Sequence, residues 1–321
     1  MEFRTELDIT PLKEGIDYGS RIFAVGSCFA ANIASKLSAA KFLVAVNPFG
    51  EMFNPLSVAE CVRRLASRRV FTAADTVHIG DRWLAWPLYG GFDSASQKEL
   101  LQKANAAVEL GADALLKSDT VIVTLGTAWV YRLALSGEVV ANCHKAPQST
   151  FQRVKLSVEE CAAALTKMVE GEFAGKRVIL TVSPVRHLGD GLTDNSLSKA
   201  TLRVAVDQVA AACPNVWYFP SYELLNDDLR DYRFYADDMV HPSNSAIEYI
   251  WQKFCAATMS ASTLAALRRF ERLSAAAAHR PLHPDSPETA RFRESMLREA
   301  GLLAREFPTV DLSAETAHFS E

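Results

Sequence analysis

The chain has 321 residues, 49% of them apolar, and a formal net charge of −4 at pH 7, which suits one sizeable α/β core with an appendage, or two small domains, and excludes a disordered or fibrous protein. Its basic residues run no further than the pairs Arg63-Arg64 and Arg68-Arg69, so no nucleic-acid partner is expected. The charged start Met1-Glu2-Phe3-Arg4-Thr5-Glu6 lacks a signal-peptide core and no stretch approaches the ~18 apolar residues of a membrane span, so the expectation is a soluble, cytoplasmic protein.

Ile22-Phe23-Ala24-Val25 is an apolar run stopped by Gly26, after which Phe29, Ile33 and Leu37 recur at helical spacing, predicting strand, sharp turn and helix. Phe42 to Val46 reads as a second buried strand, followed by the loop Asn47-Pro48-Phe49-Gly50 and a helix from about Leu56 to Ser67. A small hairpin is expected around Gly80-Asp81 and a helix from about Ala95 to Leu116. Thr120-Val121-Ile122-Val123-Thr124-Leu125 is the most β-branched segment and is expected at the centre of the sheet. Val130 to Leu133 and Val139 to Ala141 predict a second hairpin through Ser136-Gly137. A helix over Val158 to Val169, a strand over Arg177 to Val182, a helix over Ser196 to Ala212 and a strand over Val216 to Phe219 follow.

The last core helix is expected just after His241-Pro242, with Ser245 to Glu248 as a capping box. Beyond about Ser260 two further helices are expected, to Ala278 and to Arg305, separated by a Pro-rich break, with a weakly ordered tail after Pro308. Five buried strands alternating with helices predict a parallel sheet covered on both faces. Right-handed crossovers make it a three-layer α/β/α doubly wound fold of flavodoxin-like type. Residues 1–259 form that domain, and 260–321 a C-terminal helical appendage suited to packing or homo-oligomer contacts. The six cysteines, Cys28, Cys61, Cys143, Cys161, Cys213 and Cys255, form no close pair and read as reduced, mostly buried thiols.

Ligands of open parallel sheets bind at the carboxyl ends of the strands, so the polar residues there are the candidates for chemistry. Ser27 directly follows the first strand and opens the first helix, where main-chain amides can stabilise an oxyanion. Taken alone it reads as an ordinary N-cap. Asp238, three residues before His241, can bond the imidazole Nδ1–H and leave Nε2 free as a base; the alternative is a solvated acidic turn. Together the three residues compose a Ser–His–Asp system drawn from opposite ends of the chain.

Gly26-Ser27-Cys28-Phe29-Ala30 spells the motif of the GSCFA domain family, which resembles a branch of the SGNH/GDSL esterase and acyltransferase superfamily. The resemblance extends over about residues 20 to 258, through Asn47-Pro48-Phe49-Gly50, Thr124 to Trp129, Asn142-Cys143-His144-Lys145, Thr181 to His187 and Asp238 to Pro242. It implies an SGNH-hydrolase fold, Ser27 as nucleophile, Asp238 with His241 as the activating pair, and the N–H groups of Ser27 and Gly50 in the oxyanion hole. Where that superfamily carries Gly-x-Asn-Asp, this chain has Gly126-Thr127-Ala128-Trp129, so Asn142 or Thr127 is the expected replacement donor.

His144, Lys145, Arg186 and His187 follow strand-like segments and are candidates to bind an anionic substrate or a phosphate-bearing acyl carrier; surface charge on loops is the alternative. Cys28 is read as packed rather than nucleophilic. No His or Cys falls at zinc spacing, and Gly126-Thr127 lacks the Gly and Lys of a phosphate loop, so neither metal nor cofactor is expected. The sequence thus points to an acyl-ester hydrolase or O-acyltransferase acting on an acylated carbohydrate or similar small ester, with acyl-CoA as a candidate donor. The alternatives are a carbohydrate- or acyl-binding module that lost efficient chemistry, motivated by Ala128, and a nucleotide-binding flavodoxin-like protein.

Overall fold

The computed structural model describes residues 4–283 and 285–320. Along the chain β1 (Arg21–Gly26), α1 (Cys28–Ala39), β2 (Leu43–Val46) and α2 (Pro55–Ala66) precede a small hairpin of β3 (Val77–Ile79) and β4 (Arg82–Leu84), then α3 (Gln97–Lys117) and β5 (Thr120–Leu125). A separate antiparallel sheet of β6 (Trp129–Leu133), β7 (Val139–Val140) and β8 (Phe151–Lys155) follows. Then come α4 (Val158–Glu170), β9 (Arg177–Val182), α5 (Leu192–Ala212), β10 (Val216–Phe219), the short α6 (Ser221–Glu223) and α7 (Asn244–Thr258). The chain ends in α8 (Ala261–Ala278), α9 (Pro287–Glu306) and α10 (Ser313–Ser320).

The main sheet has the order β10-β9-β5-β1-β2 with every pair parallel, so β5 is central as its β-branched content predicts. Successive side chains alternate between its two faces. Phe23, Val25, Val121, Val123, Leu180 and Val182 meet the apolar stripes of α2, α3, α4 and α5. Ile22, Ala24, Ile122, Ile179 and Phe219 meet α1 and α7. The three-layer doubly wound architecture is therefore present. Strand order reverses between β1 and β5, which makes the carboxyl ends of these two strands the place where a crevice opens.

Several expectations are corrected. β2 is an edge strand rather than a buried one, with Leu43 42% and Val46 39% exposed. β8 is an unpredicted strand, because Gln152, Arg153 and Lys155 make three of its five residues polar and hide any apolar alternation. α5 starts four residues before Ser196, and α7 is capped by Ser243, whose Oγ accepts from the Ala246 amide, rather than by a box from Ser245 to Glu248. The tail after Pro308 is not loose: Val310, Leu312 and Phe319 are buried in the same cluster as Phe29, Ile250 and Phe270, so the C-terminal helices extend the core on one face of the sheet. No helix among the described residues is long and apolar enough to cross a membrane, and all six cysteines are free.

Candidate active site

β1 ends at Gly26, whose φ of +136° and close approach to β5, where a Cβ would lie 2.1 Å from the Thr124 carbonyl oxygen, admit no side chain. That turn delivers Ser27 to the N-cap of α1 at the point where strand order reverses. Ser27 is only 1% exposed; among the described residues its Oγ has no hydrogen-bond partner, and it does not cap the helix. Beside it the Cys28 thiol is pushed up by burial and then by the Glu51 carboxylate, which keeps it protonated and unsuited to attack.

The other half of the expected system lies on the turn before α7. Asp238 accepts from the amides of Val240 and His241, each at 2.9 Å, through Oδ1, and faces His241 Nδ1 at 2.7 Å through Oδ2. These bonds, the His241 amide first, hold its carboxyl down at about 2, so an ionised partner fixes the proton on Nδ1 and presents Nε2 as the basic atom. Arg186 secures the turn from outside: its amide donates to the Val240 carbonyl at 3.2 Å, and its guanidinium stacks 3.9 Å over Tyr235. The sequence therefore brings Asp238 and His241 together as expected, while Ser27 Oγ and the imidazole are not hydrogen-bonded to each other.

Of the oxyanion donors expected from the sequence, the Ser27 and Gly50 amides and the Thr127 hydroxyl have other partners, whereas Asn142 is engaged only through its acceptor oxygen among the described residues. Ser27 N–H donates to the Thr124 carbonyl at 3.0 Å, and Gly50 N–H to that of Asn47 at 2.8 Å. The Thr127 hydroxyl pairs with Ser198 Oγ at 3.0 Å and accepts from the Trp129 amide. Asn142 Oδ1 accepts from the His144 amide at 2.7 Å, and Asn142 lines a cleft of about 470 Å³ together with Phe53, Thr127, Trp129, Arg186 and His187.

The four proposed substrate residues divide. Arg186 and His187 line that cleft. The His144 side chain is fully buried, its Nδ1 2.8 Å from Asp93 Oδ1 but without hydrogen-bond alignment, and its ring packs on Trp86; Lys145 is exposed and outside the cleft. His144 is thus a packing residue, on left-handed backbone like Lys145 beside it.

One residue was missed from sequence. Lys199 on α5 is 1% exposed, and its Nζ donates to the carbonyls of Gly126 at 2.6 Å and Ser183 at 2.7 Å, the first residues beyond β5 and β9. Burial without a carboxylate partner drives its ammonium down to about 7. Its signal was helical spacing: Lys199 shares the inward face of Leu202, Val206 and Val209. Among the described residues no three His, Cys, Asp or Glu side chains gather as a metal site.

Comparison with known proteins identifies the chain at the level of family. The model of the GSCFA family matches residues 21–254, and that of the GSCFA domain protein, C-terminal domain, matches residues 270–321. No curated protein matches the chain.

Proposed function

We propose that this chain, which belongs to the GSCFA family, is a serine-dependent acyl-ester enzyme of SGNH/GDSL type, a hydrolase or O-acyltransferase acting on an acylated carbohydrate or similar small ester. The observation that carries the reading is the Asp238–His241 pair at 2.7 Å, with a free imidazole Nε2, in a chain whose Ser27 hydroxyl stands unpartnered at the switch point of the sheet. A buried hydroxyl without a hydrogen bond costs stability. It is retained where a bond is to be made during function.

In this reading Ser27 Oγ attacks the acyl carbonyl as His241 Nε2 takes its proton. Asp238 remains ionised and steadies the imidazolium. The proton then passes to the leaving alkoxide, and water or a sugar hydroxyl releases the acyl group from Ser27, using His241 again as base. Hydrolysis and transfer share every one of these groups. Substrate entry requires the cover over Ser27 to move, since its Oγ is shielded from solvent.

A second reading, a carbohydrate- or acyl-binding protein without turnover, is favoured by the absence of a Ser27–His241 bond and by the engaged backbone donors. The two are separated with a serine-reactive fluorophosphonate followed by peptide mapping, together with turnover of short-chain p-nitrophenyl esters and acyl-CoA. Labelling at Ser27, lost in Ser27→Ala and His241→Ala along with turnover, is expected. Ligand binding with neither labelling nor turnover selects the binding protein.

A further inference from the structure

A tetrahedral intermediate at Ser27 needs a hydrogen-bond donor for its oxygen, and the amides of Ser27, Gly50, Gly126 and Thr127 all donate to main-chain carbonyls. Ala128, where the superfamily pattern has a side-chain amide, is fully buried and offers none. We propose that the His187 imidazole is the donor that receives this oxyanion, a role that rests on the acyl-ester reading above.

The placement of His187 supports this. β1 and β5 are neighbours in register, Gly26 opposite Thr124, so Ser27 stands one residue short of Gly126 on the adjacent strand end. His187 Nε2 rests against that same Gly126, 3.1 Å from where a Cβ would be; the absence of a side chain makes room for the ring. Phe53 holds the imidazole edge-to-face at 5.5 Å, and the His187 amide is anchored to Asn195 Oδ1 at 3.0 Å. Neither ring nitrogen has a hydrogen-bond partner among the described residues, and the ring lines the cleft. Burial first, then the charges of Lys199 and His241, hold its pKa down at about 4. The imidazole is therefore neutral at neutral pH, carries one N–H, and does not compete with His241 for the serine proton.

The step balances without an added reactant. The Ser27 Oγ–C bond forms, the carbonyl π pair moves onto oxygen, and the serine proton goes to His241 Nε2. His187 N–H donates to that oxygen and keeps its proton. When the carbonyl re-forms, the bond to the leaving oxygen breaks and His241 returns the proton to it.

The experiment compares the full-length chain with His187→Ala, His187→Gln, His187→Phe and Asn142→Ala in p-nitrophenyl acetate hydrolysis and in the rate of fluorophosphonate labelling of Ser27, with thermal melts as the folding control. Losing an oxyanion donor is worth roughly 10²–10³ in kcat, so His187→Ala and His187→Phe are expected to fall by that factor with KM little changed. His187→Gln, which restores an N–H, is expected to recover at least tenfold of the loss. Equal activity of the Gln and Phe variants, a His187→Ala rate within threefold of the parent, or a loss confined to Asn142→Ala would each overturn the assignment. A parent that labels at Ser27 while those results hold leaves the acyl-ester reading standing and removes only His187. A parent with neither labelling nor turnover removes both.

Discussion

Lys199 is 1% exposed and among the described residues bonds only two carbonyl oxygens, which is costly, since a buried ammonium without a counter-charge is destabilising. What it contributes is orientation. The Gly126 carbonyl points at Lys199, which turns the amide of the same peptide, that of Thr127, toward the Phe53 carbonyl at 2.9 Å and so holds the loop that flanks the cleft. The cost has a pH signature. The folded-state pKa of Lys199, about 7, lies below its ordinary 10.5, so between those values the unfolded chain binds the extra proton and stability rises with pH. Below about 7 the penalty is present in full. In urea titrations from pH 7 to roughly pH 8.5, the stability of the parent relative to Lys199→Met, which cannot ionise, a difference in which the thiols common to both proteins cancel, is expected to rise with a slope of up to about 1.4 kcal/mol per pH unit. Parallel pH curves for the two proteins would show that Lys199 is charged throughout and that the carbonyl pair suffices to hold it so.

At the scale of elements, the strand–turn–helix from β1 to α1 fixes the position of Ser27, and its geometry depends on Gly26. An alanine there meets the Thr124 carbonyl oxygen at 2.1 Å at a φ of +136°, so β1 and β5 must part at the end that carries Ser27. Gly26→Ala is expected to cost roughly 2–4 kcal/mol, whereas Gly137→Ala, at φ +74° with nothing within 4 Å, bears only the left-handed backbone penalty and is expected to cost roughly 1–2 kcal/mol. Urea midpoints at unchanged m-value distinguish them, and equal costs would mean that the turn tolerates a side chain. The sequence was most informative about such elements because β1, β5 and β9 are buried on both faces and read as continuous apolar runs. β8 escaped because only its pairing with β6, not its polar composition, makes it a strand. The same contrast holds in the site. Asp238 and His241 were legible because their contact is local, three residues apart. The burial of His144 against Asp93, and the convergence of Lys199, Gly126 and His187, are long-range; the helical spacing of Lys199 marks its inward face but not the partners it meets there.

At the scale of the whole molecule, the C-terminal helices are part of the core that supports α1 and α7. Phe270, Leu273, Met296, Leu303 and Phe319 lie in one buried cluster with Ile33, Leu37 and Trp251 of α1 and α7, and Tyr18 stacks on Phe42 while its ring also meets Phe270 and Phe307. Glu315 on α10 pairs with Lys41 at 2.5 Å, just after the helix that Ser27 opens. Removing residues 260–321 therefore uncovers the outer face of α1 and α7 and exposes a contiguous apolar surface, which a monomeric protein does not tolerate well. A chain ending at residue 259 is expected to lose cooperative thermal unfolding and to aggregate, and the full chain to melt in one transition. Scanning calorimetry with matched light scattering measures both. Two separate transitions in the full chain, or a soluble and cooperatively folded 1–259 fragment, would make the helices a true appendage. A single transition means that α8, α9 and α10 stabilise the face of the sheet on which α1, and hence the serine turn, is mounted.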